Sequence, residues 1–223
     1  MKIINAINVS KTFTNGKVKT RVLKDVNLEI KSGEFISIMG PSGSGKSTLL
    51  YILGGLDQPT SGEVLFNNQS YKNLGNLGMA KLRRRKLGFI FQFYNLVPSL
   101  TVEDNILIPV LLDHQKRKMY KQKLDAILDL IGLQDRRYMY PSELSGGQQQ
   151  RVAIGRALIA SPDIIFADEP IGNLDSKNGI NIMNLFKKIN ENKKTTIIQV
   201  THSSESTQYG NRTIFLKDGV IVG

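Results

Sequence analysis

The sequence contains no cysteine, which excludes disulfides and cysteine-bound metal. It contains no run of about 18 apolar residues, so no segment reads as a membrane-spanning helix. The N-terminus, Met1-Lys2-Ile3-Ile4-Asn5, lacks the apolar stretch of a signal peptide. With neither a signal peptide nor cysteine, the expected compartment is the cytoplasm. No internal repeat, low-complexity tract or long linker interrupts the chain, and histidine occurs only twice.

What is present has an ordinary globular balance. The 223 residues, 40% of them hydrophobic, suffice for one large domain or two small ones around a substantial core. The net charge of +11 has two readings. One is attraction to phosphate, nucleic acid or an anionic membrane face. The other is a Lys-rich solvated surface. The densest cluster, Arg83-Arg84-Arg85-Lys86, falls in a short helical pattern. It lacks the interleaved aromatics of a nucleic-acid platform, so no nucleic-acid partner is expected.

Along the chain, strand patterns cluster at the two ends. Val22 to Ile30 reads as a strand and Gly33 as a turn. Phe35–Met39 is a short apolar run that leads into a glycine loop, and Ser47–Leu53 continues as a helix ending at Gly54-Gly55. Gly62–Phe66 with Asn67-Asn68 reads as a strand and hairpin turn, and Leu87–Phe91 as another strand. From Gln92 to Ala160 helical patterns dominate: Leu124, Ile127, Leu128 and Ile131 share a face that Gly132 caps, and Arg151–Ala160 forms a second helix. Strands return at Ile164–Ala167 and Thr196–Val200, separated by a helix with Ile182, Leu185, Phe186 and Ile189 on one face. Asp218-Gly219 marks a final hairpin. The pattern predicts an α/β core carrying a helical insert.

Two Ser/Gly-rich segments open helices, and each is suited to hold an anion with backbone N–H groups. The first, Gly40-Pro41-Ser42-Gly43-Ser44-Gly45-Lys46-Ser47, matches G-x-x-x-x-G-K-[ST] between a strand and a helix. Its glycines let the backbone approach phosphates, Lys46 places a charge near the β- and γ-phosphates, and Ser47 offers a hydroxyl to Mg²⁺. The second, Leu144-Ser145-Gly146-Gly147-Gln148, lies far away in the helical insert. Two such starts in one chain suggest a nucleotide shared between two copies.

Ile164–Ala167 runs into Asp168-Glu169, two acids placed to hold Mg²⁺ and to orient or deprotonate an attacking water. Gln92 follows a strand and could contact Mg²⁺ and that water; taken alone, it reads better as an ordinary polar strand end. His202 could donate to a γ-phosphate; taken alone, it reads better as a surface or capping histidine. Phe13, upstream of the glycine loop in a strand-like segment, could stack on adenine or belong to the core. A guanine-specific N-K-x-D is absent, since Asn192-Lys193-Lys194 is followed by Thr195, which favours ATP over GTP.

In order and spacing these residues resemble the nucleotide-binding subunits of ABC transporters over essentially the whole chain. Gly40–Ser47 resembles the Walker A loop, Gln92 the Q-loop glutamine, Leu144–Gln148 the signature motif and Ile164–Asp168 Walker B. Glu169 resembles the catalytic glutamate, Asp175 the D-loop aspartate, His202 the switch histidine and Phe13 the A-loop aromatic. Gly88-Phe89-Ile90-Phe91-Gln92 and the run Leu144 to Arg151 are similar to the macrolide-exporter and lipoprotein-releasing branch, which includes antimicrobial-peptide resistance pumps. Ile171, Gly155 and Ser203 depart from that branch, which has Thr, Ala and an acid there. The Ser203 departure removes a charge beside His202, and Gly155 would loosen the signature helix.

The resemblance implies an α/β fold, with a P-loop (RecA-like) core, an antiparallel β subdomain and a helical subdomain. One nucleotide-binding domain would span 1–223, with 1–91 and 161–223 as catalytic core and 92–160 as helical subdomain. ATP would be bound by Phe13, Gly40, Ser42, Gly43, Ser44, Gly45, Lys46, Ser47 and Thr48, and in a head-to-tail homodimer by the other copy's Ser145, Gly146, Gly147, Gln148 and Asp175. Catalysis would fall to Glu169, His202, Lys46 and Gln92, with Mg²⁺ on Ser47, Gln92 and Asp168. The partner would be a membrane permease docked near Gln92–Val97 and the helical subdomain, itself bound to an extracytoplasmic adaptor. The ATPase would sit peripherally on the cytoplasmic face of the membrane. A second reading is a cell-division-type ATPase that drives a permease-like partner to activate wall hydrolases.

Overall fold

The structure, a computed structural model, describes residues 1–222. Strand β1 (Lys2–Asn15) and β2 (Val18–Lys31) form a long hairpin, and β3 (Phe35–Met39) leads into helix α1 (Lys46–Leu53). Then come β4 (Ser61–Phe66), β5 (Gln69–Ser70), α2 (Gly75–Lys86) and β6 (Leu87–Ile90). Three helices follow without an intervening strand: α3 (Val102–Leu112), α4 (Lys121–Ile131) and α5 (Gly146–Leu158). The chain ends with β7 (Ile164–Asp168), α6 (Ser176–Lys193), β8 (Thr196–Val200), the one-turn helix α7 (Ser204–Thr207), β9 (Arg212–Lys217) and β10 (Val220–Val222).

The strands build two sheets. One is antiparallel, in the order β2-β1-β4-β5. The other runs β10-β9-β3-β8-β7-β6, parallel except at the β10 edge. Strands in a parallel sheet are covered on both faces and read as apolar runs, unbroken in Ile164–Ala167 and broken only by the buried Ser37 in Phe35–Met39. Ile165, Ala167 and Ile197 pack toward α3, α5 and α6. Their alternate neighbours Ile164, Phe166, Ile198 and Val200 pack with Leu49, Leu50, Ile52 and Leu53 of α1 and with the antiparallel sheet. Helix α1 is thus held between two sheets, which is why its apolar residues are buried rather than confined to one stripe.

Because β3, β6, β7 and β8 are parallel, their C-terminal ends share one edge. Gly40, Gln92, Glu169 and His202 follow those ends, and the crevice beyond the carboxyl edge of such a sheet is where ligands bind.

Local chemistry sets the boundaries. Asn67-Asn68 and Asp218-Gly219 have positive φ at both positions, the requirement of a two-residue hairpin turn. Gly132 caps α4 in the left-handed conformation, and its N–H donates to Asp129 O at 3.0 Å. The four cations Arg83–Lys86 close α2, where they oppose the helix dipole. Each has a local partner: Gly55 O for Arg83, Asp113 for Arg84 and Arg85, Asp163 for Lys86. The surface reading of this cluster therefore fits better than a ligand-binding one.

Three expectations need correction. Helix α5 runs from Gly146 to Leu158, so the helix start expected at Leu144–Gln148 and the helix expected over Arg151–Ala160 are one element. Its first turn has no apolar periodicity, yet Ser145 and Gln148 close a capping box: Gln148 Oε1 accepts from Ser145 N at 2.8 Å. Strand β2 extends well beyond Val22–Ile30, to Val18 and Lys31. Strand β6 stops at Ile90, one residue before the expected end.

Asn105 of α3 is fully buried and organises the turn before its helix. Its Oδ1 accepts from Val97 N at 2.8 Å, and its Nδ2 donates to the carbonyls of Val97, Leu100 and Thr101 at 3.0–3.1 Å. Asn105→Ala strands these backbone groups and is expected to cost about 1–3 kcal/mol, read from urea unfolding. An unchanged midpoint would show that the segment satisfies itself elsewhere.

Candidate functional site

The glycine loop takes a path that only glycine allows. At Gly40, φ is 151° and a Cβ would lie 1.9 Å from Leu216 O on β9. Gly43 and Gly45 have φ of 76° and 98°, and a Cβ on Gly43 would meet nothing within 4 Å. The loop therefore turns its backbone toward open space before α1 starts at Lys46. Ser44 Oγ is buried without a hydrogen-bond partner, an orphan group of the kind that a phosphate oxygen satisfies.

Lys46 is 5% exposed and curls over the loop, donating to Gly40 O at 3.0 Å and Pro41 O at 2.8 Å. Burial lowers its pKa, and the charges of Glu169 and Asp168 oppose that. One turn of α1 then grips the end of β7. Ser47 Oγ donates to Asp168 Oδ1 at 2.9 Å, and Tyr51, four residues on and so on the same helix face, donates to Oδ2 at 2.7 Å. Burial first, and the Asp168 carboxylate second, push the Tyr51 phenol above its ordinary range, so it stays a donor.

Glu169 turns away from the strand with φ of 47°, and its N–H donates to Val200 O at 3.0 Å. Its carboxylate faces His202: Nε2 lies 3.2 Å from Oε1, out of line for a hydrogen bond, and the His202 N–H donates to Oε2 at 3.4 Å. Burial raises the Glu169 pKa, and His202 is the main opposing influence. Gln92 and Asn173 exchange two hydrogen bonds, at 3.2 and 3.0 Å.

These groups line one cleft of about 330 Å³: Ser42, Gly43, Gly45, Lys46, Ser47, Thr48, Gln92, Asp168, Glu169 and His202, with Val22. Phe13, Ser145, Gly146, Gly147, Gln148 and Asp175 are not in its lining. Phe13 is half-exposed near the end of β1, with Lys11 Nζ 4.9 Å from its ring centre. Gly146 and Gly147 lie against other side chains, since a Cβ would come within 2.8 Å of Tyr94 OH and 2.7 Å of Asn178 Oδ1 respectively. Asp175 caps α6, accepting from Asn178 N at 3.0 Å and Asn178 Nδ2 at 2.6 Å; these hydrogen bonds lower its pKa. Asn178 thus joins the Asp175 turn to the start of α5.

The departures also find local reasons. A methyl at Gly155 would meet Ile106 and Ile131 Cδ1 at 3.1 Å, so the glycine makes room for two large neighbours within an unbroken helix. Ser203 caps α7 through Oγ, accepting from Ser206 N at 3.3 Å, without adding charge beside His202. Ile171 packs on the buried core.

Tyr51, Asn173 and Arg156 were not anticipated. Arg156 of α5 donates to Asn95 O and, at 2.8 Å, to Tyr94 O, fixing a segment in which both residues have positive φ. Beside it lies a groove of about 360 Å³ lined by Phe89, Phe91, Ile108, Pro109, Leu112 and Arg156 among others.

A glycine loop, a lysine and a hydroxyl line one cleft together with a carboxylate whose pKa is raised. That arrangement is suited to transfer of a terminal phosphoryl group to water, and it makes the chain a P-loop nucleoside triphosphatase.

The profile of the family described as ABC transporter matches residues 23–172. An uncharacterized ABC transporter ATP-binding protein of Methanocaldococcus jannaschii is 49% identical over 220 residues, covering 99% of this chain and 98% of that one. The lipoprotein-releasing system ATP-binding protein LolD of Aquifex aeolicus is 46% identical over 222 residues, covering 100% and 97%. Among solved structures, the ATP-binding cassette MJ0796 of Methanocaldococcus jannaschii, a dimer in a post-hydrolysis state bound to ADP and Pi, superposes with a TM-score of 0.91 at 44% identity over 99% of this chain and 97% of that one. The chain belongs to the ABC transporter family, and it is an ATPase subunit that powers a separate membrane permease. Consistently, none of its described helices is long and apolar enough to cross a membrane.

The Glu169 carboxylate has a consequence for stability. Its folded-state pKa exceeds the unfolded value, so the folded chain binds more protons between the two, and stability falls as pH rises through that window. Glu169→Gln removes the buried charge. Without nucleotide, its melting temperature is expected to exceed that of the wild type at about pH 7.5 and to converge with it below about pH 4. A difference that persists at low pH contradicts burial of the charge as the cause.

Proposed function

We propose that ATP is bound by Gly40–Thr48 of one copy and completed by Ser145–Gln148 and Asp175 of a second, in a head-to-tail dimer. The observation that carries this reading is the separation of the two glycine-rich helix starts. The cleft gathers the first with Gln92, Asp168, Glu169 and His202, while the signature residues lie outside it. Two-fold symmetry then gives two identical sites.

Within each site, Lys46 and the loop amides hold the phosphates, and the ring of Phe13 stacks on the base. Ser47, Asp168 and Gln92 supply oxygen donors of the hard kind that Mg²⁺ prefers; the ion, when bound, neutralises charge on the β- and γ-phosphate oxygens. Glu169 orients the attacking water and accepts its proton. Its burial and raised pKa suit a base that must take up a proton in a closed site. His202 and the partner copy's Ser145 donate toward the γ-phosphate as charge shifts onto the leaving group.

The permease docks in the groove beside Arg156 and against Gln92–Val97. Phe93 is 74% exposed there, while Arg156 ties the neighbouring carbonyls to the signature helix. Loss of the γ-phosphate at Gln92 is thereby passed to the docked segment. The ATPase sits on the cytoplasmic face, and its permease exports substrate or transmits force in the manner of the lipoprotein-releasing and macrolide-exporting systems. The 1–91 and 161–223 segments act as the catalytic core, and 92–160 as the helical arm that carries the signature.

Glu169→Gln is expected to bind ATP, to keep only a small residual turnover and to accumulate as an ATP-bound dimer in size-exclusion chromatography. Hydrolysis at the wild-type rate would remove Glu169 from the role of base. Ser145→Ala is expected to slow hydrolysis by about tenfold or more while leaving ATP affinity of the monomer unchanged. A large loss of affinity in the isolated monomer would place Ser145 in its own chain's site.

A further inference from the structure

Gln150 has no place in the roles given above, yet it is fully buried in α5. Its Nε2 donates to the carbonyl oxygen of Pro170, the residue immediately after Glu169. Proline has no N–H, so this carbonyl is the only backbone group through which Pro170 can be fixed by a hydrogen bond. Pro170 is buried, and its carbonyl depends on a protein donor. Glu169 itself is held at φ of 47°, a conformation that non-glycine residues keep only when their surroundings enforce it. On one side the Glu169 peptide is fastened to β8 through Val200 O. On the other, the fastening comes from Gln150 and from Gly172, whose N–H donates to Glu169 O at 3.0 Å.

Gln150 lies three and four residues beyond Gly147 and Gly146. Residues so spaced share a helix face, so the face of α5 that carries the signature glycines also carries Gln150. A displacement of the signature end of α5 is carried to the Pro170 carbonyl by one side chain.

We infer that Gln150 is a positioning residue for Glu169, joining the signature helix, which serves the nucleotide of the partner copy, to the base that serves the chain's own nucleotide. This rests on the shared-site reading proposed above. Each chain then aligns its own base through the helix that touches the other site, so completion of one site sets the geometry of the second.

The test uses the full chain with ATP and Mg²⁺. Gln150→Met keeps the volume and removes the donor; Gln150→Leu, smaller and also without a donor, substitutes for it should Gln150→Met fail to fold. The expected result is a fall in kcat of about tenfold to a hundredfold, with KM and ATP-driven dimerisation unchanged. Gln150→His, which keeps an N–H donor, is expected to recover part of the loss. In a Glu169→Gln background, Gln150→Met is expected to leave the residual turnover unchanged, since there is no base to misplace. Wild-type kcat in Gln150→Met, or an equal loss in the presence and absence of the Glu169 carboxylate, overturns the inference. So does a loss of dimerisation that accounts for the fall in rate. If the wild-type chain itself neither dimerises with ATP nor loses activity in Ser145→Ala, it is the shared-site reading that fails.

Discussion

The grip of α1 on the Asp168 carboxylate is the contact on which the site depends. Ser47 and Tyr51, one helical turn apart, each donate to one oxygen of a buried aspartate at the end of β7. Asp168 is thereby fixed beside the glycine loop, and Glu169 and Pro170 follow it along the chain. A buried carboxylate is tolerated only when its acceptor capacity is used, and two hydroxyl donors at 2.7–2.9 Å use it. Charge-assisted bonds of this kind are stronger than neutral ones, which suits a contact holding a loop in place through repeated binding and release.

From that anchor the chain divides its labour by geometry. Parallel strands bring Gly40, Gln92, Glu169 and His202 to one edge without any of them being near another in sequence. Helices α3 to α5 carry Ser145–Gln148 elsewhere; beyond the apolar core they share with the sheet, polar side chains tie α5 to two loops, Arg156 to the Tyr94 and Asn95 carbonyls and Gln150 to Pro170. In each, a helix side chain holds a loop carbonyl. The signature helix is therefore tied directly to the segment after Gln92 and to the segment after Glu169.

Much of this was legible in the sequence, for identifiable reasons. The glycine loop, the acid pair and the hairpin turns depend on residue types that local backbone conformation demands, such as Gly43, Gly45 and Asp218-Gly219. Buried parallel strands announce themselves as short apolar runs. The strand β1 was legible only near Phe13, because its register slips between Ala6 and Val9 and again between Val9 and Thr12, which breaks the alternation that marks a strand. The helix start at Leu144–Gln148 was legible, but its continuity with Arg151–Ala160 was hidden, because a capping box and not apolar spacing marks the first turn of α5. Tyr51 could have been found from its four-residue offset to Ser47. Arg156, Asn173 and Gln150 could not, since their partners lie 20 to 81 residues away and are mostly backbone carbonyls, which carry no residue signature. The Gly155 departure became intelligible only when Ile106 and Ile131 were seen against it.

The central claim is that a working site needs two copies of the chain, each lending a different glycine-rich helix start. Mixing two inactive variants, Lys46→Ala and Ser145→Arg, addresses it most directly. Each variant alone has both of its sites broken. In the mixed dimer, the intact loop of one chain meets the intact signature of the other, so one whole site is rebuilt. The account predicts ATPase activity in the mixture that neither variant has by itself, reaching a maximum near equal amounts. Activity no greater than the sum of the two separate variants, with mixed dimers demonstrably present, would contradict it.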